Sequence, residues 1–185
     1  MTVLRTHTLP SSIAGLGEVM QISLMASDFE GALRFWSEVV GAGPFFVIDH
    51  VVFDHVTYRD APSPIDCAIA IGYWGDIQIE FAHQHNDAPS IFLPWQEEGR
   101  EGLHHLGVLA GDLARARTVC LGAGATIVQE GAMPKGRGRF FYAQLDGLAP
   151  LIEVIEPHSS LLRRFAFMRE AARNWDGSDP VRRVG

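Results

Sequence analysis

Cations are scarce in this chain. It has a single lysine, Lys135, and its 15 lysines and arginines face 22 acidic residues, which gives a net charge of −7 at pH 7. Binding to nucleic acid needs clustered cations that neutralise phosphates, so this balance argues against a nucleic-acid-binding protein. An uninterrupted apolar run of about eighteen residues is also missing, and the sequence therefore predicts no membrane-spanning helix.

Cysteine is equally sparse. Cys67 and Cys120 have apolar neighbours and no Cys-x-x-Cys spacing, which favours buried thiols over a disulfide or a zinc knot. The first twelve residues, MTVLRTHTLPSS, lack the apolar core of a signal peptide. Together these features predict a cytoplasmic protein.

What the chain does contain is an internal repeat. The stretch GLHHLGVLAGD (residues 102–112) has the shape of MQISLMASD (residues 20–28), with Gln21 at the place of His105, eighty-four positions later. Each copy reads as a strand followed by an aspartate placed to cap an amphipathic helix, and each helix ends at a Gly-Ala-Gly break. A repeat of this kind determines the architecture before any single residue is interpreted.

The segments after each helix have strand character and are separated by Asp, Pro and Gly, so each copy predicts a β-α-β-β-β module. A further amphipathic helix is predicted over residues 160–174. The predicted organisation is an N-terminal arm, a first module, a linker, a second module, and a C-terminal helix with a tail. These cover residues 1–17, 18–85, 86–101, 102–157 and 158–185.

Four short motifs occur in this order: MQISLMASDFEGALRFW, DIQIEFAHQ, GLHHLGVLAGD and PLIEVIEP. With the tandem modules, they resemble the vicinal oxygen chelate superfamily, which includes glyoxalase I, methylmalonyl-CoA epimerase, extradiol dioxygenases and bleomycin-resistance proteins. The resemblance covers roughly residues 18–157. It implies an α+β fold in which the tandem βαβββ modules form a curled mixed sheet around a cavity, with the C-terminal helix as an addition.

The resemblance also implies metal ligands on the first and last strands of each module, at Gln21, Glu80, His105 and Glu153. The residues supply an independent argument for the two glutamates. Each lies within an otherwise apolar strand, where an ionised carboxylate is costly without a cation or a donor. The alternative is that each strand is half exposed and its glutamate faces water. His104 is expected on the opposite face of its strand.

Three oxygen donors and one nitrogen suit Zn²⁺, Mn²⁺, Co²⁺ or Ni²⁺. The ligand types and their order are similar to those of eukaryotic-type glyoxalase I. The GLHHLG motif is more similar to methylmalonyl-CoA epimerase, although that enzyme has histidine at the Gln21 position and glutamine at the Glu80 position. The arginines that bind glutathione in glyoxalase I have no convincing match here.

The function implied is that of a metal-dependent isomerase, epimerase or lyase, which removes a proton next to a carbonyl through an enolate or enediolate. Glu153 is the predicted base and Glu80 its partner on the opposite face. Two bases on opposite faces permit epimerisation, whereas one base that returns the proton elsewhere gives isomerisation.

A basic, glycine-rich loop precedes the penultimate strand. Lys135, Arg137 and Arg139 are predicted to hold an anionic part of a small-molecule substrate, and Tyr142 in the following strand is predicted to contact it. The alternative is a solvated hairpin whose charges only aid solubility.

Two other functions remain open. An extradiol-type dioxygenase needs two histidines and one carboxylate around Fe(II), and Gln21 does not supply the first histidine. A metal-free binding protein of the bleomycin-resistance type would need no buried carboxylates and would line its cleft with aromatic residues. The apolar stripe of the C-terminal helix is expected to cover a surface of the body and to support a homodimer.

Overall fold

The computed structural model describes residues 12–146 and 148–184. Most of the predicted N-terminal arm therefore lies outside the described residues, and the first element is a 3₁₀ helix at Ile13–Leu16.

A single mixed sheet forms the frame of the molecule. Its strands follow the order β11-β2-β5-β6-β1-β7-β10-β9-β8-β3-β4. The strands are β1 (Val19–Met25), β2 (Phe45–Ile48), β3 (His55–Tyr58), β4 (Ala61–Pro62), β5 (Cys67–Trp74), β6 (Ile77–Gln84), β7 (Gly102–Leu109), β8 (Thr126–Ala132), β9 (Arg139–Leu145), β10 (Leu148–Ile155) and β11 (Val181–Arg183). The sheet is curled and not closed, so the α+β fold expected from the sequence is confirmed.

Two of the helices begin at the aspartates that the sequence predicts as caps. Asp28 accepts a hydrogen bond of 2.8 Å from the Gly31 N–H, and Asp112 accepts one of 2.9 Å from the Arg115 N–H. Each aspartate thereby satisfies a backbone donor that has no partner within its helix. The helices are α1 (Phe29–Phe35), which continues as a π-helical turn at Trp36–Val40, α2 (Leu93–Glu97), α3 (Leu113–Gly122) and α4 (Ser159–Arg173).

The repeat is visible in the strand register at the centre of the sheet. β1 and β7 run antiparallel, with Gln21 opposite Gly107 and Ser23 opposite His105. Exchanging the two strands maps Gln21 onto His105 and Ser23 onto Gly107. The local two-fold relationship between the modules thus makes Gln21 and His105 equivalent positions.

The same relationship extends to the flanking strands. β6 runs parallel to β1 and places Glu80 beside Ser23, while β10 runs parallel to β7 and places Glu153 beside Gly107. Because Ser23 and Gly107 are equivalent, Glu80 and Glu153 are equivalent too.

The two faces of the sheet have different neighbours. On the outer face, Phe29 and Leu33 of α1 pack over β2, β5 and β6, and Ala116 and Cys120 of α3 pack over β9 and β10. The period-two alternation of the strands leaves the opposite face for the cavity and the polar residues described below.

The C-terminal helix α4 covers part of that inner face. Its buried residues Phe165 and Met168 pack against Phe46 of β2 and against Ile71 and Tyr73 of β5. The apolar stripe predicted over residues 160–174 therefore contacts the body of the same chain. No helix in the described part of the chain is long and apolar enough to cross a membrane.

One connection differs from the simple module. The sequence indicates a strand across residues 51–58, but only His55–Tyr58 forms β3, and it pairs with β8 of the second module. The chain therefore crosses from one edge of the curled sheet to the other between β2 and β3. Val51 and Phe53 of this crossing line the cavity.

Candidate metal centre and substrate cavity

The four side chains that the sequence predicts as ligands come together on the inner face. Gln21, Glu80, His105 and Glu153 are all buried, with exposed fractions of 2%, 5%, 0% and 7%. The Nε2 atom of His105 lies 3.3 Å from Glu80 Oε1 and 3.3 Å from Glu153 Oε2. Gln21 Nε2 donates a hydrogen bond of 2.9 Å to Glu80 Oε2.

Three polar atoms in this cluster are buried without a hydrogen-bond partner: Gln21 Oε1, Glu80 Oε1 and His105 Nε2. The two 3.3 Å contacts of His105 are close enough for an ion pair, but they lack hydrogen-bond geometry. Burial of unsatisfied polar groups costs roughly 1 to 3 kcal/mol each, and native structures contain few of them. Oxygen and imidazole donors are ligands that divalent cations accept, so the residue types present fit a metal ion. The ligand atoms of Glu80, His105 and Glu153 do not all lie within 4.8 Å of one another, so these side chains would have to draw together around an ion.

The orientation of the Gln21 amide is set by its neighbours. Gln21 Nε2 also donates a 2.7 Å hydrogen bond to Gln78 Oε1, and Gln78 Nε2 donates 2.9 Å to the Tyr73 hydroxyl. The carboxylate of Glu80 needs a donor, so the nitrogen of Gln21 must face it and the oxygen is left on the other side. Gly107 provides the space, because a Cβ atom there would lie 2.6 Å from Gln21 Oε1.

The expectation that His104 points away from His105 is wrong. Their Nδ1 atoms lie 2.9 Å apart, and His104 Nε2 lies 3.1 Å from the Ile91 carbonyl oxygen. The pairing of β1 with β7 shifts register between Ser23 and Leu24, next to this point of β7. The irregularity interrupts the alternation of faces on which the expectation depended.

The two adjacent histidines have opposite pKa shifts. Burial acts to lower the pKa of His105, but the carboxylates of Glu153 and Glu80 outweigh it and raise that pKa to about 9. For His104, burial and then the charge of His105 lower the pKa to about 3. In the metal-free protein at neutral pH, His105 is therefore a cation between two carboxylates, and His104 is neutral.

Tyr142 of β9 contacts the cluster as well. Its ring lies edge-on to that of His105, with the centroids 5.1 Å apart. Burial raises the pKa of Tyr142 well above its usual value, and the charges of Glu153 and Glu80 raise it further. Its hydroxyl therefore stays protonated at neutral pH.

A cavity of about 120 Å³ opens onto the cluster. Gln21, Glu80, Glu153 and Tyr142 line it, and most of the remaining wall is aliphatic or aromatic. Cys67 belongs to this wall, and burial followed by the charge of Glu80 raises the pKa of its thiol to about 12. The thiol is therefore not a nucleophile at neutral pH. An outer cleft of about 490 Å³ shares part of the wall.

The predicted substrate-binding loop contributes unevenly. Arg137 and Arg139 line the cavity, whereas the exposed Lys135 is not among its lining residues. Arg139 is held by Glu156 through two hydrogen bonds of 3.1 and 2.7 Å, so its charge is already matched. Arg164 of α4, which no sequence motif singles out, lines both the cavity and the outer cleft.

The aromatic residues that a metal-free binding protein would use lie partly at the cavity. Phe140 and Tyr142 line the cavity and Phe46 lines the outer cleft, but Phe81 belongs to the core beneath α1 and Trp74 is exposed. Phe53, Phe92 and Phe165 also line the cavity, so this alternative keeps an aromatic cleft.

A second group of metal-binding residue types lies at the surface. One ligand atom each from His50, Asp66 and His85 falls within 4.8 Å of the others. The Nδ1 of His50 is 2.8 Å from Asp66, and His85 Nε2 is 2.8 Å from the Asp49 carbonyl oxygen. Unlike the buried cluster, these polar atoms have partners already.

The chain belongs to the glyoxalase/bleomycin resistance protein/dioxygenase superfamily, whose family model matches residues 20–143. The resemblance drawn from the four motifs is thereby confirmed. No curated protein matches the chain.

Several solved structures are similar in fold. One is methylmalonyl-CoA epimerase from Mycobacterium tuberculosis, at 17% identity over 85% of this chain and 97% of that one, with a TM-score of 0.55. A hypothetical protein from Bacillus halodurans C-125 has 12% identity over 77% and 95%, with a TM-score of 0.56. A variant of Streptomyces coelicolor methylmalonyl-CoA epimerase in complex with 2-nitronate-propionyl-CoA has 14% identity over 76% and 96%, with a TM-score of 0.51. At these identities the likeness establishes the fold, and function has to be argued from the site.

Proposed function

We propose that the protein is a divalent-metal-dependent isomerase, epimerase or lyase that acts on a small carbonyl compound through an enolate or enediolate. Gln21, Glu80, His105 and Glu153 would hold the ion. The observation that carries the proposal is the set of three buried, unpartnered polar atoms of Gln21, Glu80 and His105 beside the cavity. Zn²⁺, Mn²⁺, Co²⁺ and Ni²⁺ are the candidate ions.

When bound, a divalent ion supplies a Lewis acid that lowers the cost of negative charge on a carbonyl oxygen. The chain's own residues supply the proton transfer. Glu153 is the proposed base, because its carboxylate borders the cavity and lies beside His105. Glu80, at the equivalent position of the other module, would serve the opposite face of a substrate carbon.

This equivalence supports epimerisation among the possible reactions. A proton removed by one glutamate and returned by the other would invert the carbon between them. Methylmalonyl-CoA is a reasonable first compound to assay, since similar folds belong to methylmalonyl-CoA epimerases. Because Gln21 and Glu80 differ from the ligand types of that enzyme, other carbonyl compounds should be assayed beside methylmalonyl-CoA.

The proposal is tested in two stages. Protein stripped with a chelator should bind one divalent ion per chain by calorimetry, and His105→Ala should weaken this binding strongly. The loaded enzyme is then incubated in D₂O with a panel of carbonyl compounds, and deuterium uptake next to the carbonyl is followed by NMR. Uptake should require Glu153, with Glu97→Gln as a control for an exposed carboxylate outside the cavity.

The results also separate the alternatives. A protein that binds none of the four ions would contradict the proposal and favour a metal-free binding protein. An extradiol-type dioxygenase requires a second histidine at the ion. Among the described residues, His104 does not meet this need, because both of its ring nitrogens have partners.

We further propose that the protein forms a homodimer. Leu162 and Phe167 of α4 are 40% and 63% exposed, which leaves apolar surface that a second copy would cover. Sedimentation should give a mass of twice 20.3 kDa, and deletion of residues 158–185 should shift it. A monomer in both cases would contradict this.

A further inference from the structure

The cavity has two polar ends of different character. Gln21, Glu80 and Glu153 form one of them. Arg137 and Arg164 form the other, and both of these also line the outer cleft. Apart from Gln129 and the paired Arg139 and Glu156, the rest of the wall is apolar. It includes Ile48, Val51, Ile69, Ile71, Phe140 and Leu161.

The two arginines carry charge that no carboxylate in the described residues matches. Arg137 Nε donates a 3.0 Å hydrogen bond to the Pro134 carbonyl oxygen, which leaves the rest of its guanidinium group available. Arg164 has no hydrogen-bond or ion-pair partner among the described residues. Arg139 differs, because Glu156 binds its guanidinium group with two hydrogen bonds. In an acidic chain, two unmatched arginines on one wall are a marked local excess of positive charge.

Arg164 is held at this wall by packing. Its neighbour Phe165 is buried against Phe46 and Ile71, and it lines the cavity itself. This anchoring determines which side of α4 faces the cavity, so the position of Arg164 follows from it. Helix α4 lies beyond residues 20–143, which the family model matches.

We propose that Arg137 and Arg164 bind an anionic group of the substrate, and that an apolar body separates this group from the reacting carbonyl. A guanidinium group pairs with a carboxylate or phosphate through two parallel hydrogen bonds, which fixes the orientation of the anion. The apolar wall accepts a hydrocarbon or aromatic body, and it disfavours a short polar molecule whose ends would both be charged. Only the carbonyl end of this inference rests on the proposed function, because the anionic end is argued from the two arginines.

A matched pair of probes tests the anionic end without any reaction. The probes are 4-phenylbutanoate and its neutral amide, 4-phenylbutanamide, titrated into ¹⁵N-labelled protein and followed by NMR chemical shifts. The wild-type protein should bind the carboxylate more tightly than the amide. Arg164→Gln and Arg137→Gln should each weaken carboxylate binding at least fivefold and leave amide binding within twofold.

Arg163→Gln is the matched control, because Arg163 is an exposed neighbour on the same helix that does not line the cavity. It should leave both affinities unchanged. Equal losses for the two probes, or equal losses in Arg163→Gln and Arg164→Gln, would overturn the inference. So would amide binding as tight as carboxylate binding in the wild-type protein. Zinc binding by calorimetry should stay at the wild-type level in all three variants, so a failure of the metal proposal is detected separately.

Discussion

The Nδ1 atoms of His104 and His105 lie 2.9 Å apart, and this contact determines which nitrogen of His105 faces the carboxylates. His104 Nε2 lies 3.1 Å from the Ile91 carbonyl oxygen, which only accepts hydrogen bonds, so the proton of the neutral His104 ring must be on Nε2. Its Nδ1 is then an acceptor, and His105 must donate from its own Nδ1. The Nε2 of His105 is left to face Glu80 and Glu153. The contact with His104 therefore keeps a proton on Nδ1 of His105, which leaves Nε2 as the nitrogen that a metal ion can bind.

The first prediction follows from this hydrogen bond between His104 and His105. Replacing His104 with Phe removes the acceptor for the His105 Nδ1–H, and loss of such a supporting partner typically weakens metal binding by about 10- to 100-fold. His104→Asn, which keeps an acceptor, should lose less. Competition with a metal indicator measures both affinities. The exposed His55 supplies the control variant His55→Phe. If His104→Phe binds metal with wild-type affinity, His104 does not support the metal site through this hydrogen bond.

The second prediction concerns the stability of the metal-free protein across pH. The pKa of His105 is raised to about 9, so its contribution is fully present below the unfolded value near 6.5 and is lost as the pH rises through 9. The pKa of His104 is lowered to about 3, so the unfolded chain binds more protons than the folded one between pH 6.5 and 3, and stability falls as the solution is acidified. From these two groups, the free energy of unfolding should be greatest near pH 6.5.

Urea denaturation in the presence of a chelator, at intervals from pH 5 to 9.5, measures this profile. His105→Gln should remove the decline above pH 6.5 and leave the acidic side in place. An alkaline decline of the same size in His105→Gln would assign it to other groups.

The features that the sequence predicts correctly are mostly those that belong to the internal repeat. The aspartate caps, the order of the strands and the family all follow from residues whose local chemistry agrees with the fold. The equivalence of Gln21 with His105 is readable in the sequence, and the register of β1 against β7 agrees with it. Whether these residues bind a metal stays a prediction.

Other features depend on contacts that no local pattern encodes. A shift of strand register beside His104 cannot be read from strand alternation, because one irregular residue reverses the face of those that follow. The crossing that brings β3 to β8 joins segments far apart in the sequence. Arg164 reads as an ordinary exposed helix residue, and only the packing of Phe165 shows that it lies at the cavity.

A third prediction concerns the attachment of α4. Phe165 is 6% exposed and packs against Phe46, Ile71 and Tyr73, so Phe165→Ala should lower the free energy of unfolding by about 3 kcal/mol. Leu162→Ala is the control on the same helix, since its side chain is 40% exposed and does not belong to this cluster, so its loss should cost far less. Thermal denaturation of the two variants gives the comparison. Equal midpoints would mean that α4 does not depend on this contact.

The last prediction concerns the space that Gly107 leaves for Gln21. A Cβ atom on residue 107 would lie 2.6 Å from Gln21 Oε1 and 2.9 Å from Gln21 Cβ, distances that real structures essentially never show. Gly107→Ala should therefore displace Gln21 and weaken metal binding, and should also destabilise the sheet at its centre. Gly111→Ala is the control, because a Cβ there has no neighbour within 4 Å. Calorimetric titration with Zn²⁺ measures affinity and urea denaturation measures stability.

In a Gln21→Gly background the colliding atoms are gone, so the added Gly107→Ala change should then be nearly neutral for stability. If Gly107→Ala destabilises that background as much as the wild-type protein, the collision with Gln21 is not the cause.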